Sequence, residues 1–237
     1  MTSLLILGLL LGMRHALEAD HVAAVASLAT RSKGVGGTVL QGVAWGLGHT
    51  LTLLAVGGVC LLLRAAISER VAAALEGAVG VMLLLLGADI LWRLRRRRVH
   101  LHVHRHDDGT VHLHAHRHAP GEAHDPDHHL HTHPRGFPVR ALLVGLVHGL
   151  AGSAALLLVA ATTLSSAWLG VLYIAVFGAG SIIGMALLSV VIALPLQGKG
   201  RTLTHWHHGL EALIGLGTLV VGGWVLFRTP WIQGFLG

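Results

Sequence analysis

Six apolar segments, each long enough to cross a bilayer as a helix, constrain this chain more than any other feature of its sequence. They cover residues 3–29, 38–63, 71–92, 139–164, 168–195 and 210–227. A hydrocarbon core about 30 Å thick needs about 20 consecutive apolar residues in helical form. The mean hydropathy of +0.68 over 237 residues lies well above the balance of a soluble domain. We therefore predict an all-α polytopic membrane protein with six transmembrane helices, and exclude a water-soluble globular enzyme.

The basic residues predict how the chain is oriented in the membrane. Seventeen Lys and Arg against eleven Asp and Glu give a net charge of +6. Thirteen of the Lys and Arg residues lie in or beside loops one, three and five, and three lie in loops on the opposite side of the membrane or at its edge. Because Lys and Arg concentrate in cytoplasmic loops, both termini are predicted outside the cytoplasmic (inner) membrane. This distribution indicates membrane orientation and no nucleic-acid partner, and the single cysteine, Cys60, excludes a disulfide framework.

The two halves of the chain resemble each other at a nearly constant spacing. His15 matches His148, and the segment that begins at Trp45 matches the one that begins at Phe177, at offsets of 133 and 132 residues. Because each half has three helices, the second enters the bilayer from the opposite side, which predicts a 3+3 inverted repeat. The predicted organisation is a first three-helix repeat over 1–92, a histidine-rich loop over 93–138 and a second repeat over 139–237.

The first helix carries charges that lipid would not accommodate. Arg14, Glu18 and Asp20 near the bilayer centre would cost about 8 to 10 kcal/mol, more than the helix's eleven Leu, Ile and Val return. These groups must therefore point into the bundle interior or a wet cavity, where Arg14 and Glu18, four residues apart, are expected to pair. The helix either opens near Ala19 or relies on other helices, because a straight helix cannot aim His15, Asp20 and His21 at one point.

Two further histidines beside glycines are candidates to complete a metal site. His49 follows a glycine in the second helix, and His148 precedes one in the fourth. Imidazole with carboxylate suits Ni(II), Co(II), Zn(II) or Cu(II), whereas Mg(II) and Ca(II) prefer oxygen ligands. The repeat places Ser153 opposite Asp20 and Ser181 opposite His49, so we predict a lopsided site in which the first half supplies the strong ligands. Hydrogen bonding between helices is the alternative role for these polar residues.

The loop between the two halves contains thirteen of the twenty histidines. Alternation of histidine with other residues is typical of a strand, but Gly109, Pro120 and Pro126 interrupt it, and we favour a disordered metal chelator. The first eight predicted loop ligands are His100, His102, His104, His106, His112, His114, His116 and His118. A cytoplasmic loop of this kind suits collection of metal for export as well as buffering of imported metal.

The spacing of His15, Asp20 and His21, a histidine followed after four residues by Asp-His, resembles the signature of the nickel/cobalt transporters. The stretches around His49 and His148 are similar to further motifs of that family, especially in its urease-accessory membrane branch. The resemblance implies passage of Ni(II) or Co(II) through the membrane, with His15, Asp20 and His21 as metal contacts. Glu18 stands where the family usually has Asp, and six helices replace the eight of longer uptake members.

The predicted function is transport of a divalent transition metal by alternating access around one midplane site. The metal is then a transported substrate, no permanent cofactor is expected, and a cytoplasmic metallochaperone is a candidate partner. One alternative is a membrane metal sensor or metal-delivery accessory protein. Another is an intramembrane metalloenzyme, although the sequence has no pair of metal-binding histidines of the His-Glu-x-x-His type.

Overall fold

The first predicted span is a broken helix. In the computed structural model, which describes residues 2–32, 34–63, 67–96, 100–105, 111–116, 137–151, 166–196 and 204–230, α1 runs over Thr2–His15 and α2 over Ala19–Ala29. The two helices meet at an angle of 58°. The backbone thus opens at the polar cluster of the first span, one of the two arrangements that the sequence left open.

The remaining helices are largely continuous. The second span consists of α3 (Val35–Thr52), a π-helical turn (Leu53–Gly57) and α4 (Gly58–Leu63). The others are α5 (Glu69–Arg96), α6 (Val139–Ala151), α7 (Ala167–Leu196) and α8 (Thr204–Arg228).

Four segments are long and apolar enough to cross a membrane, or five if the bent pair α1–α2 counts as one span. This supports a multi-pass membrane protein. The fourth predicted span, 139–164, is described only through Ala151, and the described part of this apolar helix is shorter than a full crossing. The prediction of six spans therefore stays a prediction, although five of the six segments contain helices close to the expected bounds.

The described part of the histidine-rich loop is an antiparallel hairpin of β1 (His100–Arg105) and β2 (Val111–His116). The register pairs His102 with His114, so histidine positions oppose histidine positions across the strands. Over these residues the structure differs from the disordered chain that we expected. The period of two in the sequence is the period of a strand, and it outweighs the interruptions outside the two strands. His106, His118 and the loop histidines beyond them lie outside the described residues.

Close helix crossings hold the site together. α1 packs against α7 and α3 packs against α6, while α3–α7 and α5–α8 form the other main pairs. At the α3–α6 crossing, a Cβ on Gly145 would overlap the carbonyl oxygen of Trp45, and a Cβ on Gly48 would overlap that of Leu142. Glycine lets these backbones approach more closely than any other residue would. The same crossing brings His49 and His148 towards the break between α1 and α2.

Candidate metal centre

The break in the first span sets the position of the site. The N–H groups of Leu17 and Glu18 donate to the carbonyl groups of Arg14 (2.9 Å) and His15 (3.0 Å), which ends α1 in a tight turn. α2 then starts at Ala19, with Asp20 in its first turn. A carboxylate is favoured there by the helix dipole. The break lets His15, the last residue of α1, and His21, in the first turn of α2, reach the same space.

Four histidine rings form a compact cluster around this break. His21 is central, with its ring centroid 4.2 Å from that of His15 and 4.1 Å from that of His148. The ring of His49 lies 5.3 Å from both His15 and His21. His21, His49 and His148 are at most 1% exposed. The structure therefore brings together four histidines from α1, α2, α3 and α6.

Asp20 joins two of these rings. Its Oδ1 accepts from the backbone N–H of His21 at 2.8 Å and lies 3.0 Å from His21 Nδ1. Its Oδ2 lies 3.1 Å from Nε2 of His148. Both carboxylate oxygens are thus engaged by nitrogen atoms, and the contact to His148 links the two halves of the chain.

Glu18 contacts a histidine and not the arginine that we expected. Its Oε1 lies 2.9 Å from Nδ1 of His15. The prediction of an Arg14–Glu18 pair is wrong, because it assumed a continuous helix, and α1 ends between the two residues.

Two sets of three side chains place their ligand atoms within 4.8 Å of one another, as a metal site requires. We call His15, His21 and His49 the imidazole triad, and Asp20, His21 and His148 the carboxylate triad. His21 belongs to both. The five predicted metal contacts thus form two overlapping groups.

Several ring nitrogens of the cluster are buried and have no hydrogen-bond partner. They are Nε2 of His21, Nδ1 of His148 and both nitrogens of His49. Burial of an unpaired polar atom is costly, so atoms of this kind indicate that something else binds there. Neutral imidazole nitrogens are good ligands for late divalent transition metals. The cluster is therefore suited to bind such an ion after it has lost water.

Two aromatic residues that the sequence analysis did not assign to the site form its walls. The Trp45 ring centroid lies 5.2 Å from that of His21 and 5.4 Å from that of His148, and the Phe177 centroid lies 5.3 Å from that of His15. The two occupy matching positions in the proposed repeat. That match was the available signal, since an aromatic residue at equivalent places in both halves indicates a shared role near the axis between them.

Of the two predicted supporting serines, the structure describes Ser181, and this residue does not join the cluster. Ser181 is fully buried, and its hydroxyl donates to the carbonyl of Gly12 at 3.2 Å, which fastens α7 to α1. Ser153 lies outside the described residues.

A second polar cluster lies where the ends of α2 and α5 meet the start of α6. Asp89 contacts Arg31, lies 3.3 Å from Nε of Arg93, and lies 3.5 Å from a terminal nitrogen of Arg140. Arg93 also donates to Thr30 Oγ1 at 3.0 Å. The contact with Arg93 joins residues four apart on α5, whereas the contacts to Arg31 and Arg140 depend on the fold. We call these four charged residues the arginine cluster.

Comparison with known proteins points in the same direction as this geometry. Residues 1–198 match the profile of the NicO family, described as "High-affinity nickel-transport protein". The chain is 36% identical over 223 residues to a urease accessory protein, UreH, of Bacillus sp. (strain TB-90), covering 93% of this chain and 89% of that protein. No solved structure matches the chain.

Proposed function

Because the chain belongs to the NicO family of nickel-transport proteins, and is thus a metal transporter and not an enzyme, we propose that it carries Ni(II) or Co(II) across the cytoplasmic membrane. The ion is the transported substrate, and the histidine cluster around His21 is its binding site within the membrane. The protein works by alternating access to this one site.

The observation that carries the proposal is the buried set of unpartnered imidazole nitrogens. A divalent ion that enters the membrane interior must exchange its water ligands for protein ligands. Nitrogen donors favour Ni(II) and Co(II) over Mg(II) and Ca(II), which are far more abundant in cells and prefer oxygen. Asp20 adds a negative charge that offsets part of the charge of the ion. Metal binding requires neutral imidazole, so acid weakens binding.

The pairing of the helices supports two inverted halves. Exchanging the halves converts the α1–α7 pair into the α6–α3 pair, and α3–α7 and α5–α8 into themselves. Packing of this kind is expected of a duplicated unit with a twofold axis near α3 and α7. The axis passes near the histidine cluster, because α3 carries His49. Rocking of one half against the other then exposes the site to each side in turn.

We also propose that both termini lie outside and the histidine-rich loop in the cytoplasm, since most Lys and Arg residues lie on the loop's side. The loop then concentrates metal at the cytoplasmic mouth, where a metallochaperone exchanges metal with it.

The test is metal flux in liposomes that contain the purified protein, loaded with a metal-sensitive dye. Radiolabelled nickel should enter the lumen in amounts that exceed the number of protein molecules, with cobalt as a competitor and magnesium without effect. The His21→Ala variant is the negative control, and Ser189→Ala, a buried hydroxyl that bonds only within α7, is the control for folding.

One rival function is delivery of bound metal to a partner without transport. The name of the relative, urease accessory protein, favours it. Bound nickel that never exceeds the number of sites and never reaches the lumen would support delivery and contradict transport.

A further inference from the structure

We propose that Asp20 and Glu18 are positioning residues that aim the Nε2 atoms of His21 and His15 at the metal, so that the imidazole triad coordinates the ion and the Asp20 carboxylate does not. This inference rests on the proposed function in so far as the ion is the transported substrate. It makes His15 and His21 ligands and Asp20 a positioning residue, although the spacing of these residues in the sequence does not distinguish their roles.

Each of the two carboxylates contacts one particular ring nitrogen of a histidine. Glu18 lies 2.9 Å from Nδ1 of His15, and Asp20 lies 3.0 Å from Nδ1 of His21. An ionised carboxylate only accepts hydrogen bonds, so each Nδ1 must carry the proton and donate. A neutral imidazole has one N–H and one lone pair. Both histidines therefore hold the lone pair on Nε2.

A histidine with a carboxylate on one ring nitrogen is suited to bind a metal through the other. A histidine that binds a metal almost always donates its other ring N–H to a carboxylate, a carbonyl or water, which fixes the ring and makes the free nitrogen a stronger ligand. Two of the three histidines of the imidazole triad have such a carboxylate. Glu18 lies in the break between α1 and α2 and Asp20 in the first turn of α2, so one local feature of the backbone orients both rings.

The ring nitrogens of the imidazole triad lie close to one another. Nε2 of His21 is buried and unpartnered, as are both nitrogens of His49. One ring nitrogen of each histidine in the triad lies within 4.8 Å of one ring nitrogen of each of the others. Metal–nitrogen bonds of about 2.0 to 2.1 Å place two ligands on one ion at most about 4.2 Å apart. A small inward movement of the rings therefore closes the triad on an ion.

Both oxygens of the Asp20 carboxylate already have partners within the protein. Its Oδ1 serves two nitrogens of His21, and its Oδ2 faces Nε2 of His148. Coordination by this carboxylate would compete with the contacts that hold His21 and His148 in place. His148 is thus connected to the metal through Asp20 and His21, and the second half of the chain senses the ion without binding it directly.

The experiment uses the full-length protein in lipid nanodiscs, with Co(II) as the probe. Cobalt absorption and X-ray absorption spectra are recorded at saturation, and the spectrum of the His21→Ala chain, which keeps the histidine-rich loop, is subtracted. Asp20→Asn should leave the saturated difference spectrum unchanged, with nitrogen ligands from three imidazoles, but should weaken Co(II) affinity by about 10- to 100-fold. Asp20→Ala should weaken it further, because asparagine keeps an acceptor for His21 and alanine does not.

Three comparisons make the test decisive. Glu18→Gln, at a side chain that is 58% exposed and therefore tolerant of substitution, should weaken affinity through His15 without a spectral change. Asp89→Asn makes the same chemical change in the arginine cluster and should alter neither measurement. His49→Ala, which removes a ligand, should change the saturated spectrum.

A saturated Asp20→Asn spectrum that changes as much as that of His49→Ala would show that the carboxylate is a ligand and would overturn the inference. Unchanged affinity in both Asp20→Asn and Glu18→Gln would overturn it as well. If the spectra follow the expectation but liposomes show no flux, the proposed transport fails and the assignment of the ligands stands.

Discussion

The histidine cluster and the arginine cluster both join the two halves of the chain around one aspartate, yet they leave their polar atoms in different states. In the arginine cluster three guanidinium groups surround Asp89, and the side chains are between 21% and 46% exposed. In the histidine cluster, Asp20 contacts two rings while several ring nitrogens remain buried without a partner. In the arginine cluster opposite charges are in contact. In the histidine cluster there are more buried ring nitrogens than the protein itself pairs.

The difference teaches how a binding site can be told from a structural contact in a membrane protein. A paired charge has its stabilising partner within the fold, so it needs no further ligand. A buried unpaired nitrogen costs free energy unless a ligand or water reaches it. The helix ends at the arginine cluster are thus held by the protein itself, whereas the histidine cluster keeps buried nitrogens to which we propose that the ion binds.

The largest expected effect comes from His21→Ala. His21 belongs to both triads and lies between His15 and His148, so its loss should reduce flux to the background of empty liposomes while the protein still inserts. Initial rates of nickel entry, normalised to the inserted protein, measure this. Normal flux in this variant would contradict the site.

His148→Ala should have a smaller effect, about tenfold on flux. It removes a partner of Asp20 but leaves the imidazole triad intact. The same liposome assay measures it beside His21→Ala. A loss greater than that of His21→Ala would overturn the idea that the first half supplies the strong ligands.

Deletion of residues 100–133 should change the apparent affinity for nickel, or the metal tolerance of cells, by several-fold, and leave the maximal rate within about twofold. The reason is that, in the proposed function, the loop gathers metal beside the membrane and takes no part in the buried site. Uptake curves over a range of nickel concentrations separate the two parameters. Complete loss of transport by a well-inserted deletion would show that the loop belongs to the pathway.

Asp89→Asn should have the smallest effect on flux and a clear effect on stability. Removing the charge leaves three arginines without their counterion and should cost about 1 to 3 kcal/mol. Thermal unfolding in detergent, compared with Glu76→Gln at an exposed site on α5, measures the loss. A collapse of flux at unchanged stability would show that the arginine cluster acts in transport.

Sequence periodicity and the cost of intramembrane charge predicted much of this architecture. Five of the six apolar segments gave helices close to their expected bounds. The polar run of the first span was predicted to turn away from lipid; His21 is buried and Asp20 half-buried, whereas the side chains of Arg14 and Glu18 are exposed and do not lie in the bundle interior. The pairing of Arg14 with Glu18 failed because pair rules for helices hold only while the helix continues. The hairpin in the histidine-rich loop was missed because composition was given more weight than the period of two.

By itself the sequence determined which residue types the proposed site can draw on and which apolar segment carries each of them, because hydropathy and charge act segment by segment. Only the tertiary structure decided which nitrogen of each histidine is free. That choice depends on contacts between residues as far apart as Asp20 and His148, brought together by helix crossings that admit no Cβ. The free nitrogens of His15 and His21 are set by carboxylates that are close in sequence but meet the rings only because the helix breaks, and that of His148 is set by Asp20 from the other half of the chain.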